Sequence, residues 1–379
     1  MRTKSLPQGH LAYRRSAIES ESPELYGYEN IRYNLAESSV TDARLDALDV
    51  LLKDMLLWYG DHLGKPELRA LIAAETPGVE PDDVLLTVGA AAALFIINTA
   101  LLSHGEHALV LHPNYVTNVE TPRAIGAEVE LVSLAFEDGW RLDMDELARR
   151  IRPQTRLISL TSPHNPTGMV IPEADLRRVL RLAEEHDCYL LYDETYRDMT
   201  RGSIPPLAAG LSPRAISVSS LSKTYGLPGI RLGWLVNRDP QLMERFLAAK
   251  EQIFICNSVL DEEVAYQYLC KKAQFLPPIQ EHIRTNLAVL RRWVEDNPYV
   301  EWVEPQGGVV AFVRIKPEVN LDLENFYRTL NEKYQTFVGP GHWFERDRHY
   351  MRLGFGWPSR DELAGGLDAI LRAIQESLR

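Results

Sequence analysis

Basic residues are in short supply in this 379-residue chain: Lys and Arg total 41 against 53 Asp and Glu, a formal net charge of −12. That balance argues against a general nucleic-acid or anionic-membrane partner, although a local cluster of cations can still hold a small anion. Cysteine is scarcer still. Cys188, Cys256 and Cys270 are odd in number and none forms a C-x-x-C pair, so neither a disulfide framework nor a metal site is expected. Cys188 opens an apolar strand and reads as a small buried hydrophobe. No apolar run approaches membrane-spanning length, and residues 1–7 lack the apolar core of a signal peptide. These absences leave a reducing cytoplasm as the default location. Internal repeats and low-complexity tracts are absent as well.

What is present describes a globular protein, with 45% apolar and 25% charged residues. The length exceeds one ordinary core and predicts a large domain with a smaller one beside it. From about residue 81 to 236, short apolar runs alternate with helical patterns. Val84-Leu85-Leu86-Thr87-Val88 reads as a buried strand ended by Gly89, and Leu157-Ile158-Ser159-Leu160, Tyr189-Leu190-Leu191-Tyr192 and Ile216-Ser217-Val218 repeat the theme. Leu176, Val179, Leu180 and Ala183, at i, i+3, i+4 and i+7, predict a helix over 172–186 with one apolar stripe. Such alternation implies a mostly parallel sheet flanked by helices, an α/β fold whose ligands bind beyond the carboxyl ends of the strands. Beyond residue 280 the texture becomes that of a smaller α+β unit. Pro205-Pro206 and Pro277-Pro278 read as turns or boundaries, the second between domains.

The most informative stretch is Ser219-Ser220-Leu221-Ser222-Lys223-Thr224-Tyr225-Gly226-Leu227-Pro228-Gly229-Ile230-Arg231. One lysine sits among hydroxyls and turn-forming residues, with an arginine eight positions on. A lysine so placed can form a Schiff base with an aldehyde cofactor while Ser220, Ser222 and Arg231 hold a phosphate. The plainer alternative, a surface lysine in a Gly/Pro loop, leaves the apolar strands on either side unexplained.

This segment resembles the lysine segment of class I/II aminotransferases, the fold-type-I enzymes of pyridoxal 5'-phosphate (PLP), and the resemblance runs in motif order from about Tyr33 to the C-terminus. It implies a large PLP-binding domain over 49–278, a small domain over 279–379, and an N-terminal segment, 1–48, that joins the small domain. It implies Lys223, Asp193 and Tyr196 as the catalytic set. Asp193 would pair with the cofactor's ring nitrogen, and Tyr196, three residues on, would hydrogen-bond its 3'-oxygen. Asn165, in Ser162-Pro163-His164-Asn165-Pro166-Thr167-Gly168, would donate to the same oxygen, with His164 a loop residue and not a catalyst. Tyr115 would stack on the ring. Gly89-Ala90-Ala91 opens a helical run whose backbone amides would face the phosphate. Many relatives have Ser or Thr in that turn, so the cup here would lean on amides, Ser220, Ser222 and Arg231. Tyr59 would reach the phosphate of a partner subunit, making a homodimer with shared sites. Arg352 would grip the α-carboxylate of the amino acid or 2-oxo acid substrate.

One departure bears on the reaction. Where many relatives carry a glycine-containing loop over the substrate, this chain has Tyr33-Asn34-Leu35-Ala36-Glu37-Ser38-Ser39-Val40. With Val338-Gly339-Pro340-Gly341-His342-Trp343-Phe344, this loop is similar to a branch of capreomycidine synthase-like PLP enzymes that cyclise an arginine derivative. Glu37 would then meet the substrate's side chain and favour a cationic one, unless it is an exposed loop acid. Three readings follow: an aminotransferase first, a PLP lyase or cyclase second, and a non-catalytic regulator on the same fold last, since no residues are left for a DNA-binding domain.

Overall fold

Alternation along the central strands stacks the molecule into layers. In the computed structural model, which describes residues 11–379, Leu190 and Tyr192 of one strand pack into one helical layer and Leu191 into the other. Ile158 and Leu160 divide from Leu157 in the same way. The stretch 1–7 read for a signal peptide lies outside the described residues. No helix among the described residues is long and apolar enough to cross a membrane.

A short strand, β1 (Tyr33–Asn34), comes first. Then β2 (Val84–Val88), β3 (His107–His112), β4 (Glu128–Ser133), β5 (Thr155–Thr161), β6 (Tyr189–Asp193), β7 (Ala215–Ser220) and β8 (Leu232–Val236) form one sheet in the order β2-β8-β7-β6-β5-β3-β4. Only β8 runs against its neighbours, so the sheet is mostly parallel, as the alternating pattern predicts. The helix Glu173–Glu185 buries Leu176, Val179, Leu180 and Ala183, the predicted stripe, against one face. The helices Gly89–Leu101 and Pro240–Ile253 cover the other with Leu94, Ile97, Met243 and Phe246.

The C-terminal part builds β9 (Val300–Glu301), β10 (Val310–Ile315), β11 (Thr336–Phe337), β12 (Gly339–Pro340) and β13 (Tyr350–Gly354). Four of these make an antiparallel sheet in the order β12-β13-β10-β9, and β11 pairs in parallel with β1. Pro277-Pro278 corrects the sequence reading. Both prolines lie inside one continuous helix, Lys272–Asp296, not at a break. A mid-helix proline costs about 3 kcal/mol, but this helix is anchored at both ends. Phe275 stacks on Tyr268 with ring centres 4.7 Å apart, while Ile283, Leu287 and Leu290 enter the C-terminal core. The helix therefore carries the chain from one core to the other without a turn.

The N-terminal segment is stitched to both parts. Val40 N donates to Lys223 O at 3.1 Å, and Gly354 N of β13 donates to Leu35 O at 2.7 Å. Gly354 has no room for a side chain: a Cβ there would lie 1.8 Å from Glu37 O. Gly354→Ala must push this segment off β13, and a loss of about 1–3 kcal/mol is expected from such overpacking. Thermal unfolding checks it. An unchanged melting temperature would show that the segment yields freely.

Candidate active site

Parallel strands deliver the candidate residues to one edge. The carboxyl ends of β2, β3, β5, β6 and β7 lead into Gly89, Tyr115, Asn165, Asp193 and Lys223 respectively. Thr161 lies opposite Asp193 in the register between β5 and β6, so those ends are level. Lys223, Arg352, Tyr115 and Glu37 line one cavity of about 520 Å³, roofed by the N-terminal segment near Glu24.

Asp193 is buried, with neutral partners only among the groups that hold its carboxylate. Its Oδ1 accepts from Thr195 N at 3.1 Å and from Thr195 Oγ1 at 2.7 Å, and its Oδ2 accepts from Asn118 Nδ2 at 3.4 Å. Burial pushes its pKa up, against the pull of those donors. Lys223 shows the converse. Burial pushes its ammonium down from the ordinary lysine value, with Glu37 pulling the other way and Arg352 adding to the fall. Thr224 Oγ1 donates to Thr195 O at 2.7 Å, which ties the lysine loop to the residue that holds Asp193.

At the turn that the resemblance implies for the phosphate, backbone and guanidinium fit closely. Gly89 has φ +73°, and a Cβ there would lie 2.4 Å from Arg231 Nη2. Arg231, itself at φ +45°, donates from Nη1 to Ser222 Oγ at 3.2 Å and to Pro228 O at 2.8 Å. Ser220 and Ser222 are buried beside it. Ala90 and Ala91 contribute the amides of the first turn of the helix Gly89–Leu101 and no side-chain donor, as the sequence implies. Tyr115 is largely buried, and burial raises its hydroxyl's pKa.

Arg352 is buried at 4% exposure on β13. Its Nη1 donates to Asn165 Oδ1 at 3.1 Å and its Nη2 to Ala36 O at 2.5 Å, while Nε has no partner. Asn165, thus oriented, keeps its Nδ2 free to donate. Tyr196 departs from the expected arrangement: its hydroxyl donates to Ser38 O at 2.6 Å, so its proton is committed to the N-terminal segment and its oxygen faces other groups as an acceptor. His164 is buried, bonded to Thr167 Oγ1 at 2.8 Å, and driven by burial to a pKa of about 3, which suits a neutral loop residue. Tyr59 is not brought into the cavity of its own chain. It is 76% exposed, beside exposed Leu56, Leu57 and Trp58.

Several residues of the site escaped sequence reasoning. Thr195 and Asn118 hold Asp193, Ser38 engages Tyr196, and Trp343 and residues 15–25 wall the cavity. Thr195 lies inside the D-x-x-Y motif and was open to detection as a hydroxyl two residues from an acid, a spacing that suits an Asx-type turn. Ser38 and Trp343 lie in the two runs the resemblance singled out, without a role assigned to either, while Asn118 and residues 15–25 are distant in sequence and carried no signal.

A buried carboxylate without a cation, a half-buried amine without a hydrogen-bond partner and a glycine–arginine cradle together fit PLP: pyridinium to Asp193, aldehyde to Lys223, phosphate to the cup. The fold and site thus define a fold-type-I PLP-dependent enzyme. Residues 29–370 match the family described as aminotransferase class I and II, and the chain belongs to that family. It is 32% identical to capreomycidine synthase of Streptomyces vinaceus over 359 residues, 90% of each chain. It is 29% identical to the arginine–pyruvate transaminase AruH of Pseudomonas aeruginosa over 309 residues, 78% of this chain and 77% of the other. Among solved structures, a PLP-dependent aminotransferase from Streptococcus suis superimposes with a TM-score of 0.88 at 30% identity, covering 95% of this chain and 97% of its own. This protein is accordingly a PLP-dependent aminotransferase by family.

Asp193 gives a prediction with a readout other than turnover. Its pKa is raised on folding, so the apoprotein binds more protons folded than unfolded. Its stability then falls as pH rises from the ordinary carboxylate value through the raised one. Asp193→Asn removes that loss, so the apo variant should be at least as stable as the wild-type apoprotein at pH 7. Its PLP affinity should drop about tenfold to a hundredfold, the worth of a hydrogen bond to a charged group. Thermal unfolding and a fluorescence titration with PLP check the two halves. Undiminished PLP affinity would remove Asp193 from the cofactor's partners.

Proposed function

We propose that this protein moves the α-amino group of an L-amino acid to a 2-oxo acid, with Lys223 as the catalytic amine and Arg352 as the anchor of the α-carboxylate. The observation that carries this is the meeting of Lys223 and Arg352 at one cavity, with the cation-free carboxylate of Asp193 tied to the lysine loop through Thr195 and Thr224. When bound, PLP supplies an aldehyde for the amine and a protonated ring that takes up the electron pair left at the substrate's Cα.

The chain's own residues do the rest. Asp193, fixed by Thr195 and Asn118, presents a carboxylate to the ring nitrogen. Arg352, fixed by Asn165 and Ala36, presents a planar fork to the α-carboxylate. Lys223 Nζ, biased by burial toward the neutral amine, takes the proton from Cα. Tyr115 covers the ring, and Gly89, Ala90, Ala91, Ser220, Ser222 and Arg231 hold the phosphate. Tyr196 Oη and Asn165 Nδ2 would lie toward the cofactor's 3'-oxygen.

We read the assembly as a homodimer. Leu56, Leu57, Trp58 and Tyr59, between 68% and 76% exposed, form an apolar strip that a second copy would cover, bringing Tyr59 to its neighbour's phosphate. We also read the chain as a large domain over 49–278 and a small one over 279–379, joined by the N-terminal segment, and as cytoplasmic. The pairing of β1 with β11 supports the joining. A second reading, elimination or cyclisation on an arginine-derived amino acid, rests on the likeness to capreomycidine synthase.

Lys223→Ala should lower turnover by at least about a thousandfold, since the amine is both attachment point and base. Consumption of amino acid by the wild type should require a 2-oxo acid. Consumption without one would favour elimination, and wild-type turnover in the variant would remove Lys223 from the chemistry. For the dimer, mixing Lys223→Ala with Tyr59→Phe subunits should regenerate a minority of complete sites. Activity in the mixture no higher than the summed parents would show that the sites are not shared.

A further inference from the structure

We propose that Asp198 is a positioning residue for Lys223, acting through the hydroxyl of Tyr225, and that its carboxylate sets how the lysine loop stands against the turn that holds Asp193. The inference rests on the reading of Lys223 as the catalytic amine. Tyr225 lies two residues past Lys223, and its Oη donates to Asp198 Oδ2 at 2.5 Å. Asp198 lies five residues past Asp193, in the short turn Arg197–Met199. Both Tyr225 and Asp198 are buried. The same Oδ2 meets Lys272 Nζ at 2.6 Å, and the backbone oxygen of Asp198 accepts from Gln280 Nε2 at 3.0 Å. Lys272 and Gln280 belong to the long helix Lys272–Asp296. One residue thus joins the lysine loop, the turn after β6 and the helix that runs between the two cores.

The loop is held on both sides of Lys223. On one side Ser222 Oγ accepts from Arg231 at 3.2 Å, and on the other Thr224 Oγ1 donates to Thr195 O at 2.7 Å. Thr195 also donates to the carboxylate of Asp193. The bonds from Thr224 and Tyr225 therefore both end on the turn 195–198, and slack in either is slack between the amine and the carboxylate of Asp193. Tyr225 has two separable parts. Its ring packs edge-on against Tyr268, with centres 5.9 Å apart, in an apolar cluster with Leu221 and Leu227. A phenylalanine would pack as well, so stability alone leaves the hydroxyl without a reason, and an apolar residue at 198 would spare the desolvation of an acid. The cations Lys272 and Arg197 and the carboxylates Glu75 and Glu194 surround Asp198. Glu75 meets Lys272 at 2.5 Å and Arg197 at 3.1 Å, and Arg197 stands 3.9 Å from both Asp198 and Glu194. Burial, Asp198 and Glu75 push the phenol's pKa well above its ordinary value, so Tyr225 remains the donor at neutral pH. A phenol on a carboxylate that is itself clamped by Lys272 makes a short bond to a charged acceptor, stronger and more directional than packing.

The test uses Tyr225→Phe, which keeps the ring, with Asp198→Ala and the double variant, each loaded with PLP. Tyr225→Phe should lower kcat about tenfold, the worth of one hydrogen bond to a charged group, and leave KM within about twofold. The double variant should be no slower than Asp198→Ala, because the same bond is cut in both. A readout separate from turnover is the visible band of the loaded protein, titrated with pH. Burial depresses the pKa of the Lys223 nitrogen, so a loosened loop that admits water should move the midpoint of the band up by about half a unit. A kcat or a midpoint unmoved in Tyr225→Phe would overturn the proposal, whatever its melting temperature does, and so would kcat losses that multiply in the double variant. Where Asp198→Ala fails to fold, Tyr225→Phe decides the case on its own. If no amino acid is converted with any oxo acid, the aminotransferase reading fails instead. The band midpoint then decides the positioning of Lys223 alone: a rise in Tyr225→Phe sustains it and an unchanged midpoint overturns it.

Discussion

A carboxylate buried without a cation is the constraint around which this structure is arranged. Asp193 sits at the end of β6, where burial pushes its pKa up, and the surroundings answer with neutral donors that pull it back down. Thr195 gives two hydrogen bonds to Oδ1 and Asn118 gives one to Oδ2. Those donors favour the charged form without cancelling it, which leaves a negative charge for a ring nitrogen to complete. An arginine in their place would satisfy the carboxylate and spoil the site. The bond from Thr224 to the carbonyl of Thr195 extends the arrangement to the lysine loop, so amine and carboxylate are set relative to each other by one short bridge.

The opposite face of the site is handled by backbone. Ala90 and Ala91 bring no hydroxyl to the first turn of the helix Gly89–Leu101, and the missing donors are offset by closeness. Gly89 lets the guanidinium of Arg231 approach to where a side chain would otherwise stand, and Ser222 orients that guanidinium. A helix N-terminus with an arginine held beside it would suit a phosphate dianion.

Much of this was legible in the sequence because it is local. Leu176, Val179, Leu180 and Ala183 announced their helix by period alone, and the apolar runs ending at Val88, Thr161 and Asp193 announced a sheet whose carboxyl edge would carry the chemistry. Lys223, Ser222 and Arg231 lie within ten residues, so one loop brings them together. What was hidden depends on long-range packing. Nothing in Ser38 foretells that its carbonyl would take the proton of Tyr196, 158 residues away. The run Pro277-Pro278 misled for a related reason. Its local preference for a break is overridden by Phe275 and Leu287 anchoring the same helix in two different cores.

The N-terminal segment and Lys223 reach the one cavity by different means. Lys223, Asp193 and Gly89 stand at strand ends of the central sheet, which is packed on both faces. Glu37 and the residues near Glu24 stand on a segment with little regular structure of its own. It is positioned by borrowed contacts: Leu35 O to Gly354, Val40 to Lys223 O, Ser38 O to Tyr196. Those contacts use backbone atoms, while Leu35 and Val40 pack their side chains into the C-terminal core and Glu37, bonded to Tyr28 Oη, lines the cavity. Replacing Gly354 would disturb the segment itself, because a side chain there would meet the backbone oxygen of Glu37.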